Sequence, residues 1–212
     1  RGLGDVYKRQ FVRLKSAKPC VLRYEQIAFC VFSRFYVVWF VLLVVCLAGV
    51  KKTKNGATQD LISASRSSDG LQTDIMRFGS TDDFEFYAHT TNSSGNADIQ
   101  TGRIFRDVGA WYHIVVRVDT TQSTASNRVR IYVNGVQETV FTSANYMNQN
   151  GTIIWGLGSG IEHTIGAVGT SNYFGGYVAE VVYLDSQSVA PTTFGEFDGD
   201  SGIWKPIDVS DL

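Results

Sequence analysis

The sequence predicts an all-β fold, two antiparallel sheets packed as a sandwich, over residues 51–208. Three observations carry this. From Lys51 onward, short apolar alternations recur between clusters of Gly, Asn, Asp, Ser and Thr, the texture of strands joined by turns. Asn134-Gly135 separates two such runs, and a two-residue type I′ hairpin turn favours this pair because both positions need positive φ. Helical periodicity is almost absent. Its one trace is 191–195, PTTFG, with Pro at a first helical position and Gly after the last; the poor cap at Ala190 predicts a single turn.

Taken in order, residues 60–65 and 76–78 read as short strands. A firmer strand covers 84–89 after the turn at Asp82-Asp83, and 99–105 follows. In 111–119, Tyr112, Ile114, Val116 and Val118 fall on one face and Trp111, His113 and Arg117 on the other, a period of two with one face for the core. Residues 129–133 lead into the Asn-Gly turn, and 136–141 are expected to return as the paired strand. Between Ser143 and Gly160 lies a long Asn/Gly-rich loop, of the kind that is usually functional or mobile. Residues 162–167 form a further strand. Residues 177–184 are apolar on both faces except at Glu180, the pattern of a central strand covered on both sides.

The first fifty residues differ in character. They hold eight Lys/Arg against two Asp/Glu, while 51–212 hold eleven against eighteen, so the net charge of −1 hides a basic leader and an acidic remainder. Cys20, Cys30 and Cys46 are the only cysteines, so the remainder folds without a disulfide. An acidic domain without basic clusters argues against nucleic acid as a partner. Residues 35–50 are uncharged and largely apolar, somewhat short of the roughly 20 residues that span a bilayer. They predict a helical leader, a signal anchor or an uncleaved signal peptide if genuine. Two codon-level observations favour another origin. Asp5-Val6-Tyr7-Lys8-Arg9-Gln10 is what GAT GTG TAT AAG AGA CAG encodes, a string resembling the transposase end used in sequencing libraries, so 1–10 read as adapter-like. Cys46-Leu47-Ala48-Gly49-Val50 can be encoded TGT CTG GCT GGG GTN. Dropping a G and reading from the third base gives Ser-Gly-Trp-Val ahead of Lys51, the ending an opening strand would want. The organisation expected is therefore 1–10 adapter-like, 11–50 a transmembrane-like or out-of-frame leader, 51–208 the domain, and 209–212 a truncated tail.

Four blocks, 110–115 (AWYHIV), 130–135 (RIYVNG), 164–166 (TIG) and 174–181 (FGGYVAEV), together resemble the laminin-G-like, concanavalin A-like lectin/glucanase superfamily. They are most similar to its modules in bacteriophage tail and structural proteins, where a segment comparable to 188–204 often follows. The likeness covers about 50–207. It implies a jelly-roll of two antiparallel sheets and, in many members, sugar or protein binding at a loop-rich rim, sometimes with calcium. Two departures stand out: the opening strand is missing, and many relatives carry an acidic residue where this chain has Ala179.

Glucanase relatives place catalytic carboxylates as Glu-x-Asp-x-x-Glu, so that acid and nucleophile share one strand face. Asp83-Phe84-Glu85 has the alternate spacing without the third carboxylate, and Glu138 and Glu180 have no second acid nearby. His89, His113 and His163 lack metal-ligand spacing. No catalytic residue is assigned, and the chain is read as a non-enzyme. No cofactor is required; calcium is left open through Asp82, Asp83, Asp107, Asp119, Asp198 and Asp200, which offer hard oxygen ligands. For ligand binding, Tyr146, Trp155 and Tyr173 lie on loops and suit stacking on sugar rings; their alternative is to cover the core. The function expected is a non-catalytic structural or adhesion module of a virion, a tail fibre or appendage. Its partners would be a cell-surface glycan or protein, or other virion subunits. The alternatives are a secreted or membrane-anchored bacterial lectin-like protein, held through 35–50 if the leader is genuine, and a degenerate glycoside hydrolase.

Overall fold

The structure, a computed structural model, describes residues 12–14, 20–22, 42–66, 72–89, 96–155, 160–169, 171–185 and 187–209. The adapter-like segment 1–10, residues 35–41 of the apolar run and residues 210–212 lie outside the described residues. In chain order the strands are β1 (Val12–Leu14), β2 (Cys20–Leu22), β3 (Leu42–Lys52), β4 (Gln59–Arg66), β5 (Thr73–Phe78), β6 (Asp83–His89), β7 (Ala97–Ile104) and β8 (Tyr112–Asp119). There follow β9 (Val129–Val133), β10 (Val136–Gln137), β11 (Phe141–Asn145), β12 (Ile161–Ile165), β13 (Gly176–Asp185), β14 (Gly195–Phe197) and β15 (Trp204–Pro206). They form a six-stranded sheet, β1-β13-β3-β8-β9-β10, and a seven-stranded sheet, β11-β7-β6-β5-β4-β12-β2, with β14-β15 as a separate ribbon. Every ladder pairing is antiparallel. The expected all-β sandwich is what the chain adopts.

The leader is the main correction. Instead of a helix, Leu42–Lys52 forms a strand between β8 and β13, in register from Leu42 opposite Asp119 on one side and from Lys52 opposite Gly176 on the other. The boundary expected at Lys51 falls inside this strand, and the place of the opening strand is filled. Two open ladder edges would leave rows of backbone N–H and C=O groups unpaired. An aliphatic, partly β-branched run suits a strand flanked on both sides. Among the described residues no helix is long and apolar enough to cross a membrane. The β3–β8 register slips between Leu47 and Val50. On β13 the nearby Glu180 takes φ 48° and is exposed, so it marks an irregularity and not an isolated acid within an even apolar strand.

The core lies between the sheets. Ile114, Val116 and Val118 of β8 enter it from one side, and Met76, Phe78, Phe84 and Phe86 of β5 and β6 from the other. Phe78, Phe84 and Phe105 pack edge-on or tilted with centroids 5.3–6.5 Å apart, the offset geometry aromatic quadrupoles prefer. Against this cluster sits Lys52, fully buried. Its Nζ donates to Asp82 Oδ1 at 2.7 Å and to the Phe105 carbonyl at 3.0 Å, 4.8 Å from the Phe78 ring centre. Burial opposes the Asp82 charge, but Lys52, the Gly56 N–H and Arg106 outweigh it and hold this carboxyl below the ordinary range.

The Asn-Gly turn is as expected, with Asn134 at φ 49° and Gly135 at φ 76°. The returning strand is not. Only Val136–Gln137 pair with β9, and Phe141–Asn145 then pairs with β7 in the other sheet. Residues 138–140 are thus the crossing between layers, where alternation in sequence persists without a continuous partner. The segment at 191–193 is a single 3-10 turn, as predicted.

Candidate functional site

Each sheet has a second face, away from the core, and the two are treated differently. On the six-stranded sheet, Val115 and Tyr132 point outward yet are buried: they cluster with Phe194, and Val182 and Leu184 of β13 in the same sheet, with Val189 and Val209 of the C-terminal segment, pack against them. Trp204 anchors this covering. Its ring lies against Gly135 and Gly195, where an added Cβ would collide with it, edge-on to His113 at 5.5 Å and to Phe197 at 4.9 Å. Burial there pushes the His113 imidazole down to about 4. The segment 188–206 is therefore built into the domain.

On the seven-stranded sheet the outer face is polar. Cross-strand register sets Asp60 opposite Arg77, Arg77 opposite Glu85, Glu85 opposite Gln100, and Gln100 opposite Ser143, a row across β4, β5, β6, β7 and β11. The next row runs Ser63, Ile75, Tyr87, Asp98 and Asn145; Ser63 and Ile75, like Asp60, are buried, so the accessible part of these rows, Arg77 apart, lies on β6, β7 and β11. Tyr87 is half-buried, and its ring lies near-parallel to that of exposed His89, centroids 6.2 Å apart. The sequence of β6 produces this directly: Phe84, Phe86 and Ala88 face the core, so Asp83, Glu85, Tyr87 and His89 share the other side. Arg77 Nε pairs with Glu85 Oε2. Asp60 is fully buried beside them, and neither of its carboxylate oxygens receives a well-formed hydrogen bond. Burial raises its carboxyl to about 6, against the pull of Arg77 and Asn172. A flat aromatic flanked by amide, hydroxyl and carboxylate groups is the chemistry that holds a sugar ring, by stacking on its face and hydrogen-bonding its hydroxyls.

Residues 48–187 match the model of the concanavalin A-like lectin/glucanases superfamily. The chain belongs to this family. Its fold is similar to the CBM40 module of Ruminococcus gnavus IT-sialidase, solved with alpha2,3 sialyllactose bound, at TM-score 0.52 and 12% identity over 72% of this chain and 79% of that one. It is also similar to the K499G mutant of NanB sialidase from Streptococcus pneumoniae, at TM-score 0.52 and 15% identity, over 76% of this chain but only 26% of that one. At such identities the likeness is one of fold. No curated protein matches the chain in sequence.

Within this concanavalin A-like domain the three aromatics expected to bind ligand do not gather. Trp155 is 5% exposed, within the core, its ring stacked on Tyr183 and tilted against His163. Tyr146 is half-buried and packs against the same core. Their loop is pulled inward because Met147, Ile153 and Ile154 are buried and because Asp74 Oδ2 accepts the Ile154 and Trp155 N–H groups at 2.7 and 3.3 Å. Tyr173 alone lies beside the polar face, bridged to Asp60. Sequence reasoning missed Tyr87, although the alternation of 83–89 carried the signal. The aspartates considered for calcium are spread over separate turns: Asp82 holds Lys52 and Arg106, Asp83 accepts from Thr81, and Asp107 accepts the Gly109 N–H. Asp119 accepts from Thr121 and Gln122, and Asp198 from Asp200, Ser201 and Lys205. Among the described residues no three His, Cys, Asp or Glu side chains gather as a metal site requires.

Proposed function

We propose that this domain is a non-catalytic glycan-binding module whose binding surface is the outer face of the seven-stranded sheet, centred on Tyr87. The observation that carries this is the contrast between the faces: the chain covers one with its own residues 188–206 and leaves on the other a half-buried aromatic among polar groups aligned by register. The CBM40 module of similar fold, solved with a sialylated sugar, supports carbohydrate as the ligand class. Against catalysis, Glu85 is engaged by Arg77, and Asp83, 3% exposed, by Thr81. A retaining glycosidase instead needs one carboxylate free to attack and one free to give a proton. No turnover of β-glucans, agarose-type galactans or alginate is expected; hydrolysis lost in Glu85→Gln or Glu180→Gln would overturn the non-enzyme reading.

The setting we propose is a virion appendage, outside the cell, adhering to a cell-surface glycan. The likeness of 188–204 to segments of phage structural modules supports it, and that segment closes the fold here. Capsid and tail genes beside this one would support that setting; a secretion or polysaccharide locus would favour the lectin-like alternative, anchored through 35–50. The binding test is calorimetric titration with neutral oligosaccharides for the intact chain and Tyr87→Ala. Binding that the substitution abolishes is expected, and binding it leaves untouched would move the site elsewhere.

A further inference from the structure

The polar face also carries information about which glycans it accepts. Among the described residues, register places one cationic side chain on it, Arg77, against the carboxylates of Asp60, Glu85, Asp98 and Glu162. Proteins that hold carboxylated or sulfated sugars do so most effectively with an arginine whose planar fork is free to pair with the anion. Here one edge of the guanidinium, its Nε, is already engaged. Glu85 Oε2 takes Arg77 Nε, and Asp60 stands opposite Arg77 on the other flank, fully buried and without a well-formed hydrogen bond of its own, so that its charge adds to that of Glu85.

The position of Glu85 is itself built in. Its other oxygen, Oε1, and Asp83 Oδ1 approach the backbone of Gly79 so closely that a Cβ there would collide with both. Gly79 thus leaves room for the Glu85 carboxylate, and its N–H closes the β5–β6 turn by donating to the Asp83 carbonyl at 2.9 Å. Arg77 is 29% exposed and Glu85 12%, so the pair lies at the surface of the face and meets whatever docks there.

Resting on the binding face assigned above, we infer that Glu85 is its specificity-determining residue: by holding Arg77 it makes the face select neutral or amino-bearing glycans and reject carboxylated ones. An anionic sugar would have to share Arg77 with the Glu85 carboxylate and enter a field dominated by carboxylates. A neutral sugar needs only to stack on Tyr87 and exchange hydrogen bonds with Gln100, Ser143 and Asn145, and a protonated amino sugar gains from the field.

The test compares lactose, chitosan oligosaccharides and sialyllactose on the intact chain, with Glu85→Gln beside it. The wild-type chain is expected to bind lactose or chitosan oligosaccharides at least tenfold more tightly than sialyllactose. Glu85→Gln, nearly isosteric, releases Arg77 and should raise sialyllactose affinity by tenfold or more, a gain that added salt weakens. Wild-type preference for sialyllactose would overturn the selectivity while leaving the binding face standing. Binding of none of the three would overturn both. The wild-type ranking needs no variant, so the inference stands or falls even if Glu85→Gln fails to fold.

Discussion

The two outer faces of this sandwich were made from the same strand alternation and put to opposite uses. On β8 the outward positions His113 and Val115 are 2% and 0% exposed, because Trp204 and Phe194 lie over them. On β6 the outward positions Glu85, Tyr87 and His89 range from half-buried to exposed and carry polar atoms. A sheet face that is apolar must be covered, and here the chain's own C-terminal segment does so. The face that alternates polar groups with an aromatic has no such cover over β6, β7 and β11 among the described residues, and it is the one proposed to bind. What distinguishes a stabilising face from a binding face is thus not the strand pattern but what the outward residues are and what returns to meet them.

The largest effect that would test this contrast is on the covered face. Trp204→Ala removes the side chain that fits between two glycines and should destabilise the domain by about 3 kcal/mol or more. Urea denaturation measures this, and a loss below about 1 kcal/mol would mean that 188–206 merely rests on the sheet. Gly135→Val follows. Positive φ alone makes a β-branched residue cost about 1–3 kcal/mol, and its Cβ would also push Trp204 from its seat. A variant melting like the parent would show that the turn relaxes.

A third prediction concerns pH. Burial raises Asp74 from 3.8 to about 7 and Asp60 from 3.8 to about 6. Between those values the folded state holds protons that the unfolded chain has released, so this contribution to stability is present below pH 4 and is lost as pH rises to 7. His113, lowered from 6.5 to about 4, works the other way, since stability is lost as pH falls from 6.5 through 4. Asp74→Asn keeps an acceptor for the Ile154 N–H and removes the Asp74 titration. It should raise the melting temperature at pH 8 by a few degrees and change it little at pH 4; equal shifts at both would contradict the assignment. The smallest stability effect belongs to the open face: Tyr87→Ala should change the unfolding free energy by less than about 1 kcal/mol.

Much of this was legible in the sequence. The period-two pattern of 111–119, the Asn-Gly turn and the single turn after Pro191 gave local structure that the fold keeps, because each rests on local stereochemistry. Three things were not legible. Residues 42–50 read as helix because an apolar run has no period of its own, and only the empty place between β8 and β13 makes it a strand. The loop after β11 read as a binding rim because its composition is Asn/Gly-rich, but Asp74, distant in sequence, draws Ile154 and Trp155 inward. The proposed binding face went unrecognised because it is assembled across several strands; the alternation of 83–89 showed one strand's share of it, but not the Gln100, Ser143 and Asn145 that register brings beside Tyr87.

Amide hydrogen exchange of the intact chain, with and without a bound neutral oligosaccharide, tests the central claim most directly. The account predicts added protection in 83–89 and 97–104, with 195–206 and 146–155 unchanged. Protection confined to 146–155 or to 195–206, with 83–89 unaffected, would contradict it and return the binding site to the rim or to the covered face.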